Sequence, residues 1–167
     1  MNNNFIELRK LKKSDISNIF ELSNQDYVRK YSINKDKILW EDHIKWFENI
    51  LKSDLDYFYI VTENTSENEE KFYGQVRFKI NTNNGDCEVS ISLNKNIQGR
   101  GMSKYILKES LNLLFSEATF INVITAYVNI ENLVSIKLFQ GVGFQEISKA
   151  NDMLRFVIIR SDFYETR

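Results

Sequence analysis

The sequence predicts an α+β fold with a mixed, mostly antiparallel sheet and helices on both of its faces. Alternating apolar and polar residues between 57 and 94 indicate antiparallel strands joined by turns. Helical spacing over 101–116, followed by the apolar run 120–128, indicates a right-handed strand-helix-strand crossover and therefore one parallel pair of strands. The chain has 167 residues, 43% of them hydrophobic and 27% charged, which fits a single globular domain spanning residues 1–167.

The N-terminal part predicts one strand and two helices. Residues 5–9 form the strand, and Ser14 or Asp15 supplies the N-cap of a first helix whose apolar residues are Ile16, Ile19, Phe20 and Leu22. A second helix is predicted over about 37–52. Its core-facing residues are predicted to be Leu39, Ile44, Trp46 or Phe47, and Leu51.

A three-stranded antiparallel meander follows these helices. Residues 57–61 and 72–80 are rich in aromatic and β-branched residues and predict strands, and the polar segment 63–71 predicts an exposed connection between them. Asn84-Gly85 indicates the next hairpin turn. In the third strand Cys87, Val89, Ile91 and Leu93 alternate with Glu88, Ser90, Ser92 and Asn94.

The C-terminal part predicts a helix over 101–116, a strand over 120–128 and a short helix over 132–140. Gly143-Phe144 then opens a last pair of strands that ends at residues 154–159. The predicted order is therefore β-α-α-β-β-β-α-β-α-β-β.

Composition and charge exclude several classes of function. One His and one Cys cannot build a standard zinc site or an internal disulfide framework, so no metal is expected. With 22 basic and 23 acidic residues the chain has no electrostatic footprint for nucleic acid. No signal peptide and no membrane span is visible, so a cytoplasmic protein without a membrane partner is expected, as a monomer or a homodimer.

The segment from Glu88 to Ser103 carries the chemistry. A strand runs into a loop with Gly99 and Gly101, and the loop opens a helix. Glycines allow close approach of a ligand to the main chain, and the free amides of the first helical turn favour a phosphate or pyrophosphate. The spacing is neither that of a dinucleotide-binding fingerprint nor that of a P-loop, so by itself it also fits a plain strand-to-helix turn.

This segment resembles motif A of the GNAT superfamily of acyl-CoA N-acyltransferases, Gln/Arg-x-x-Gly-x-Gly/Ala. Here the motif reads Gln98-Gly99-Arg100-Gly101-Met102-Ser103, with Ser103 in place of the final Gly or Ala. Family members carry, one strand later, an Asn, a Ser and a Leu-aromatic-x-x-x-Gly-Phe run. This sequence has Asn132, Ser135 and then Leu138-Phe139 with Gly143-Phe144. The element order also resembles that of the family fold over nearly the whole chain.

The resemblance implies that acetyl-CoA is the acyl donor. Main-chain groups of Ile91 and Leu93 would pair with its pantetheine arm. The amides from Gln98 to Ser103, a run that includes Gly99, Arg100, Gly101 and Met102, would bind its pyrophosphate. Asn132 would contact the cofactor and Phe139 would pack beside its thiol end. Many family members have Tyr at the position of Phe139 as the acid for the leaving thiolate, so here another Tyr, a water or no acid must serve. Many also have Pro where Lys95 stands, ahead of the glycine loop.

Direct attack of an amine on a thioester needs positioning, an oxyanion donor and removal of one proton. Glu88 is the preferred base, acting through water, because it begins the polar row Glu88, Ser90 and Ser92; a solvated strand residue is the alternative. Tyr127 is a candidate proton donor, or alternatively a packed strand aromatic. Cys87 faces the opposite side of the strand and is expected to be a small buried residue.

In this family the acceptor site is usually built from the first two helices and the nearby loops. Here that region resembles the subgroup that acetylates nucleotide-linked 4-amino sugars. Asn24 with Val28-Arg29, and His43 with Trp46-Phe47, match its two motifs, although Ser23 stands where the subgroup has Arg. The resemblance implies that Arg29 contacts a diphosphate, that His43 contacts sugar or phosphate, and that Tyr31 or Trp46 stacks on the base. Packing roles for His43 and Trp46 and a salt bridge for Arg29 are the alternatives.

Two other functions remain open. One is transfer of acetyl to a protein N-terminus, a polyamine or another small amine. The other is a non-catalytic domain that binds acetyl-CoA, which the lack of a Tyr hydroxyl at Phe139 permits.

Overall fold

Helices pack on a seven-stranded sheet in the described part of the chain. The structure is a computed structural model, and it describes residues 6–64, 69–83 and 86–165. The strands are β1 (Ile6–Lys10), β2 (Asp56–Asn64), β3 (Glu70–Ile80), β4 (Cys87–Leu93), β5 (Val123–Asn129), β6 (Gln145–Ala150) and β7 (Met153–Ile159). The helices are α1 (Ile16–Ser23), α2 (Asp26–Arg29), α3 (Trp40–Leu51), α4 (Met102–Glu117), α5 (Leu133–Val142) and α6 (Arg160–Glu165), and a 3-10 turn (Lys13–Asp15) precedes α1.

The sheet order β1-β2-β3-β4-β5-β7-β6 is antiparallel except between β4 and β5. Helix α4 connects these two strands, because parallel neighbours need a crossover rather than a hairpin. Their pairing covers only Cys87 with Ile124 and Glu88 with Thr125. Beyond Glu88 the two strands diverge, and this divergence positions the site described below.

Helices cover both faces of the sheet. The larger core packs α4 and α5 against one face, with Val61, Val76, Phe78 and Leu107 almost fully buried. The smaller core packs α1 and α3 against the other face through Ile19, Phe47, Ile50, Phe58 and Ile60. Because successive strand residues face opposite sides, Phe58 and Ile60 belong to one core and Tyr59 and Val61 to the other. The fold class predicted from the sequence is therefore confirmed.

Several element boundaries differ from the prediction. Helices α2 and α6 were not expected, and the helix predicted from about residue 37 begins at Trp40, leaving Leu39 64% exposed. The core face of α3 is His43, Phe47 and Ile50, spaced i, i+4 and i+7. Two predicted features, the start of the first strand at Phe5 and the Asn84-Gly85 turn, lie outside the described residues.

The polar segment predicted as an exposed connection is partly strand. Strand β2 continues to Asn64, and Glu63 within it is 3% exposed. The prediction was wrong here because a run of polar neighbours hid one buried carboxylate, whose partners lie elsewhere in the chain.

Asp15 occupies the N-cap position of α1 but does not hydrogen-bond the helix amides. Its carboxylate binds the Arg9 guanidinium at 2.7 and 2.9 Å and accepts the Lys12 amide at 2.7 Å. Asp15 is therefore a buried partner of Arg9 that fastens the start of the first helix to strand β1. Within the described ranges, no helix is long and apolar enough to cross a membrane.

Candidate active site

A cleft of about 440 Å³ opens where β4 and β5 diverge. Its walls are β4 from Glu88 onward, the end of β5, one side of α5, and a segment from Tyr27 to Ser32, here called the α2 segment, that begins in α2 and continues beyond it. The side chains that line it include Tyr27, Tyr31, Ser32, Glu88, Ser90, Ile91, Ser92, Leu93, Gln98, Ser103, Tyr127, Asn129, Asn132, Ser135 and Phe139. The cleft thus brings together most of the residues that the sequence singled out, from both of its motif regions.

The free edge of β4 presents main-chain groups to the cleft. The Asn94 amide donates to Tyr73 in β3 at 2.7 Å, and alternate residues of a strand direct their main-chain groups to the same edge. Ile91 and Leu93 therefore face the opposite edge, where β5 has already separated. The Leu93 carbonyl accepts from the Tyr27 hydroxyl at 3.2 Å and from Gln98 Nε2 at 2.8 Å. These two donors leave the Leu93 amide and both main-chain groups of Ile91 for a ligand.

The glycine loop has the geometry of an anion cradle. Gly99 and Gly101 have φ values of +81° and +72°, which L-residues rarely adopt, and no atom lies within 4 Å of the position that a Cβ would take at either. The Gln98 and Arg100 amides each make a hydrogen bond of 3.3 Å within the turn, to Asn94 and Ile97. Gly99, Gly101 and the first turn of α4 are thus the donors best placed for an anion.

Asn132, the N-cap of α5, and Phe139, within that helix, both line the cleft, but they contribute to it in different ways. Asn132 caps α5 by accepting the Ser135 amide at 3.2 Å, and its side chain also lines the cleft, so Nδ2 is the donor that it can offer a ligand. Phe139 is 4% exposed, with its ring 5.0 Å from that of Phe144 and stacked at 6.4 Å on that of Phe156. It shapes the cleft wall and has no proton to donate.

A polar row faces the cleft along β4. Glu88, Ser90 and Ser92 share the sheet face of Arg77, since Ser90 pairs with Arg77 in β3. Thr125 and Tyr127 of β5 lie on the same face across the divergence, and the Tyr127 side chain is 49% exposed. Glu88 and Tyr127 both line the cleft. A carboxylate and a phenol therefore lie on the two strands that separate around it.

Cys87 points into the larger core, as predicted. Its side chain is fully buried, and the loss of hydration raises the pKa of the thiol to about 12. The thiol is therefore unreactive and takes no part in the cleft.

The α2 segment contributes residues that the sequence interpretation missed. Tyr27 reaches the Leu93 carbonyl, burial raises the pKa of its phenol, and the Lys95 ammonium lies 5.0 Å from its ring. Ser32 also lines the cleft. Four helical residues carry no periodicity, so the only available signal was the position of α2 between α1 and α3, in the region predicted to bind the acceptor. Tyr31, which was predicted, does line the cleft.

Arg29 turns away from the cleft and organises its own loop. Its guanidinium donates to the Ser32 hydroxyl at 2.9 Å and to the Asn34 carbonyl at 3.2 Å. Burial lowers the pKa of this guanidinium, which still remains charged near neutral pH. In this arrangement Arg29 shapes the segment beside Tyr31 and Ser32 instead of lining the cleft.

The structure does not bring His43 and Trp46 to the cleft. His43 is 1% exposed, its Nε2 lies 2.8 Å from the Ile16 carbonyl, and burial lowers the pKa of the ring. The rings of Phe20, Trp40, Trp46 and Phe47 surround it, and the last two of these belong to or pack against the smaller core. Trp46 packs edge-on to Phe58 and under the Arg77 guanidinium. The acceptor contacts predicted for both residues are thus replaced by packing, which the same helical spacing also satisfies.

Comparisons with known proteins agree with this geometry. Residues 6–145 match the family model described as "Acetyltransferase (GNAT) domain". A protein of Bacillus subtilis (strain 168) named "Putative phosphinothricin acetyltransferase YwnH" is 27% identical over 146 residues, which are 83% of this chain and 83% of that protein.

Solved structures share the fold. Spermidine N-acetyltransferase from Vibrio cholerae, in complex with CoA and spermine, gives a TM-score of 0.81 at 19% identity, covering 95% of this chain and 98% of the other. A domain from Methanocaldococcus jannaschii DSM 2661 gives 0.80 at 19% identity, with 94% and 99% covered.

The divergent strands and the glycine cradle define an acyltransferase fold of the N-acetyltransferase type. The match over most of its length shows that the chain belongs to the GNAT acetyltransferase family. Its acyl donor is acetyl-CoA, the co-substrate of that family, and the cleft and cradle fit the arm and phosphates of that molecule. In the part of the chain that the structure describes, no group of three or more His, Cys, Asp or Glu side chains could hold a metal ion.

Proposed function

We propose that the protein transfers the acetyl group of acetyl-CoA to the primary amine of a small acceptor bound in the cleft between β4 and β5. The observation that carries this proposal is the placement of Glu88 and Tyr127 on the two diverging strands beside the free edge of β4. A carboxylate and a phenol at that point supply the proton acceptor and the proton donor that the reaction requires.

The donor half of the cleft is proposed to hold acetyl-CoA mainly through the main chain. Ile91 and the Leu93 amide pair with the pantetheine arm, and Gln98 reaches this contact through the Leu93 carbonyl. The loop that runs through Gly99, Arg100, Gly101, Met102 and Ser103 receives the diphosphate. The open space above both glycines supports this placement. Asn132 Nδ2 and the Phe139 ring complete the thiol end.

The chemical step requires no covalent enzyme intermediate. The acceptor amine attacks the thioester carbonyl, a C–N bond forms and the C–S bond breaks. Glu88 removes the proton of the amine through a water molecule, and Tyr127 protonates the departing thiolate in place of the Tyr that Phe139 replaces. The 49% exposure of Tyr127 and its position in the cleft wall support its access to that sulfur.

A hydroxyl-rich amine, such as a nucleotide-linked 4-amino sugar, is the first candidate acceptor. The acceptor side of the cleft carries Ser32, Ser90, Ser92, Tyr31 and Tyr127, which hydrogen-bond hydroxyl groups well. Among the described residues that line the cleft, Glu88 is the only charged one. A sugar amine therefore fits the lining. The diphosphate of such an acceptor would have to lie outside the cleft, where Arg29 would first have to release its loop carbonyls.

A polyamine is the second candidate. The fold similarity to a spermidine N-acetyltransferase favours it, as does Glu88, since a carboxylate attracts an ammonium group. A polycation gains most from several carboxylates, and the described part of the cleft wall offers one.

One experiment separates these acceptors. The protein is incubated with acetyl-CoA and, in parallel, a UDP-linked 4-amino sugar, spermidine and phosphinothricin, and each mixture is analysed by mass spectrometry. A gain of one acetyl group on the sugar supports the first candidate, and a gain on spermidine supports the second. Acetylation of phosphinothricin alone would mean that this chain acts on the substrate given in the name of the Bacillus subtilis relative. Binding of acetyl-CoA with transfer to none of the three would favour a peptide N-terminus, another small amine or a non-catalytic role.

A further inference from the structure

A buried carboxylate, that of Glu63, is paired with a side chain of the glycine loop. The side chain of Glu63, at the end of β2, is 5% exposed, while the Arg100 side chain in the loop is 46% exposed. Arg100 Nη2 lies 3.8 Å from Glu63 Oε1. Glu63 is thus the acidic partner of a loop residue that sits between two glycines in left-handed conformation.

Strand β3 supplies the other partner of this carboxylate. The register between β2 and β3 shifts at Val61 and Thr62, which leaves Tyr73 without a facing residue in β2. The Tyr73 hydroxyl donates to Glu63 Oε2 at 2.7 Å. The Arg100 guanidinium lies 5.9 Å from the centre of the Tyr73 ring, so Tyr73 contacts both members of the ion pair.

The burial of Glu63 has a cost that this arrangement must offset. A buried carboxylate is stable only when it is paired and hydrogen-bonded. Oε1 is buried and has no hydrogen-bond partner among the described residues, so Arg100 is the cation that offsets its charge. In turn, Glu63 and Tyr73 restrain the Arg100 side chain. Its neighbours Gly99 and Gly101 do not restrict the backbone, and a long Arg side chain has much rotamer freedom to lose.

We infer that Glu63 is a positioning residue for acetyl-CoA binding. It acts through Arg100, holding the guanidinium over Tyr73 and thereby keeping the loop in the conformation that receives the diphosphate. The Lys71 ammonium, 5.4 Å from the same ring, adds a second cation to the cluster, so the cluster of one carboxylate and two cations attracts an anion. This inference rests on the proposed placement of the diphosphate at the loop.

The test compares the affinities of three probes by calorimetric titration. CoA and dephospho-CoA carry the diphosphate, and pantetheine has the same arm without phosphate. Glu63→Gln keeps an acceptor for Tyr73 but loses the charge that attracts Arg100. We expect Glu63→Gln to lower the affinity for CoA and for dephospho-CoA by about five-fold, the upper range for a partly exposed ion pair. The affinity for pantetheine should stay unchanged. Tyr73→Phe is expected to act in the same direction, with a smaller loss.

A double-mutant cycle tests whether Glu63 acts through Arg100. Arg100→Ala alone is expected to weaken CoA, and adding Glu63→Gln to it is expected to weaken CoA no further. Asp15→Asn is the matched control, because Asp15 is also a buried carboxylate paired with an Arg, away from the cleft. It should lower the melting temperature without changing the affinity for any probe.

Four outcomes would overturn the inference. They are unchanged CoA affinity in folded Glu63→Gln, an equal loss for pantetheine, additive losses in the cycle, and tighter CoA binding, which would mean that Glu63 only repels the diphosphate. If Glu63→Gln does not fold, Tyr73→Phe and Arg100→Ala provide the same comparison of probes. Gly101→Val separates the two levels of the argument. If it leaves CoA affinity unchanged, the diphosphate placement itself fails; if it weakens CoA while Glu63→Gln does not, only the role of Glu63 fails.

Discussion

The glycine loop and helix α3 both carry residues that resemble functional motifs, but they occupy the structure in different ways. In the loop, Gly99 and Gly101 adopt positive φ and leave open space beside the main chain, between Gln98 and Ser103, which both line the cleft. In α3, His43 turns into the smaller core and hydrogen-bonds the Ile16 carbonyl.

The difference follows from what each motif depends on. A glycine motif specifies a backbone conformation that few other residues adopt, so its residue types carry structural information directly. A helical motif specifies side chains at a spacing that a ligand-binding face and a core-facing stripe share. Function at the loop can therefore be inferred from residue types, whereas function on α3 depends on which way the helix faces.

The largest expected effect concerns the cleft itself. Glu88→Gln should lower kcat by about 100-fold with the identified acceptor, because general-base assistance is lost, and should leave the affinity for acetyl-CoA unchanged. Steady-state kinetics across pH checks this. Glu146→Gln on the exposed strand β6 is the control and should keep wild-type rates. A rate for Glu88→Gln equal to wild type at every pH would remove Glu88 from the mechanism.

The next effect tests the backbone role of the loop. Gly101→Val should weaken CoA by at least about ten-fold, because a β-branched residue at φ +72° is strained by more than 1 kcal/mol and the loop must rearrange. Gly141→Ala is the matched control. Gly141 lies within α5, and an added Cβ would meet only Lys104 atoms at 3.9 Å or more. Equal CoA affinity for wild type and Gly101→Val would contradict the cradle.

A smaller effect tests the packing role of His43. Because burial lowers its pKa, the unfolded chain binds more protons than the folded one as the pH falls below the ordinary histidine value. The free energy of unfolding should therefore decrease between about pH 7.5 and 5.5, and His43→Phe should flatten that dependence. His43 is the only histidine of the chain, so urea titrations at several pH values isolate its contribution. The packing role would be contradicted if His43→Phe raised the acceptor KM while the free energy of unfolding kept its wild-type pH dependence. His43 would then contact the acceptor, as the sequence motif implied.

The smallest effect is expected at Trp46. Trp46→Phe should lower stability by about 1 kcal/mol through lost packing on Phe58 and Arg77, and should leave kcat and both KM values within two-fold of wild type. Denaturant unfolding together with steady-state kinetics measures both quantities. A selective rise in the acceptor KM would place Trp46 against the substrate and weaken the contrast between α3 and the loop.

Much of the fold could be predicted because its patterns are local. The alternation of Cys87, Val89, Ile91 and Leu93 marks β4, and the crossover through α4 follows from strand-helix-strand order. The core role of His43 was also accessible, since it stands four and seven residues before Phe47 and Ile50. The prediction named Leu39, Ile44, Trp46 or Phe47, and Leu51 as the core face, which was right for Phe47 and wrong for Leu39, and it kept packing of His43 only as an alternative.

Other features could not be predicted because they depend on distant contacts. Tyr27 meets the Leu93 carbonyl 66 positions along the chain, and Glu63 meets Arg100 across the end of the sheet. The apolar run before Glu63 ends at Val61 and the residues after Glu63 are polar, so the sequence alone predicts an exposed residue at this position. Side chains that serve the cleft through tertiary contacts leave no periodic trace in the sequence.

We propose that the main chain at the β4 edge and in the glycine loop binds acetyl-CoA, while α3 only supports the fold. Amide hydrogen exchange with and without CoA tests this directly. We predict that CoA slows exchange in β4 around Ile91 and Leu93 and from Gly99 to Ser103, and leaves His43 to Leu51 unchanged. Protection in α3 without protection of β4 and the loop would contradict the account.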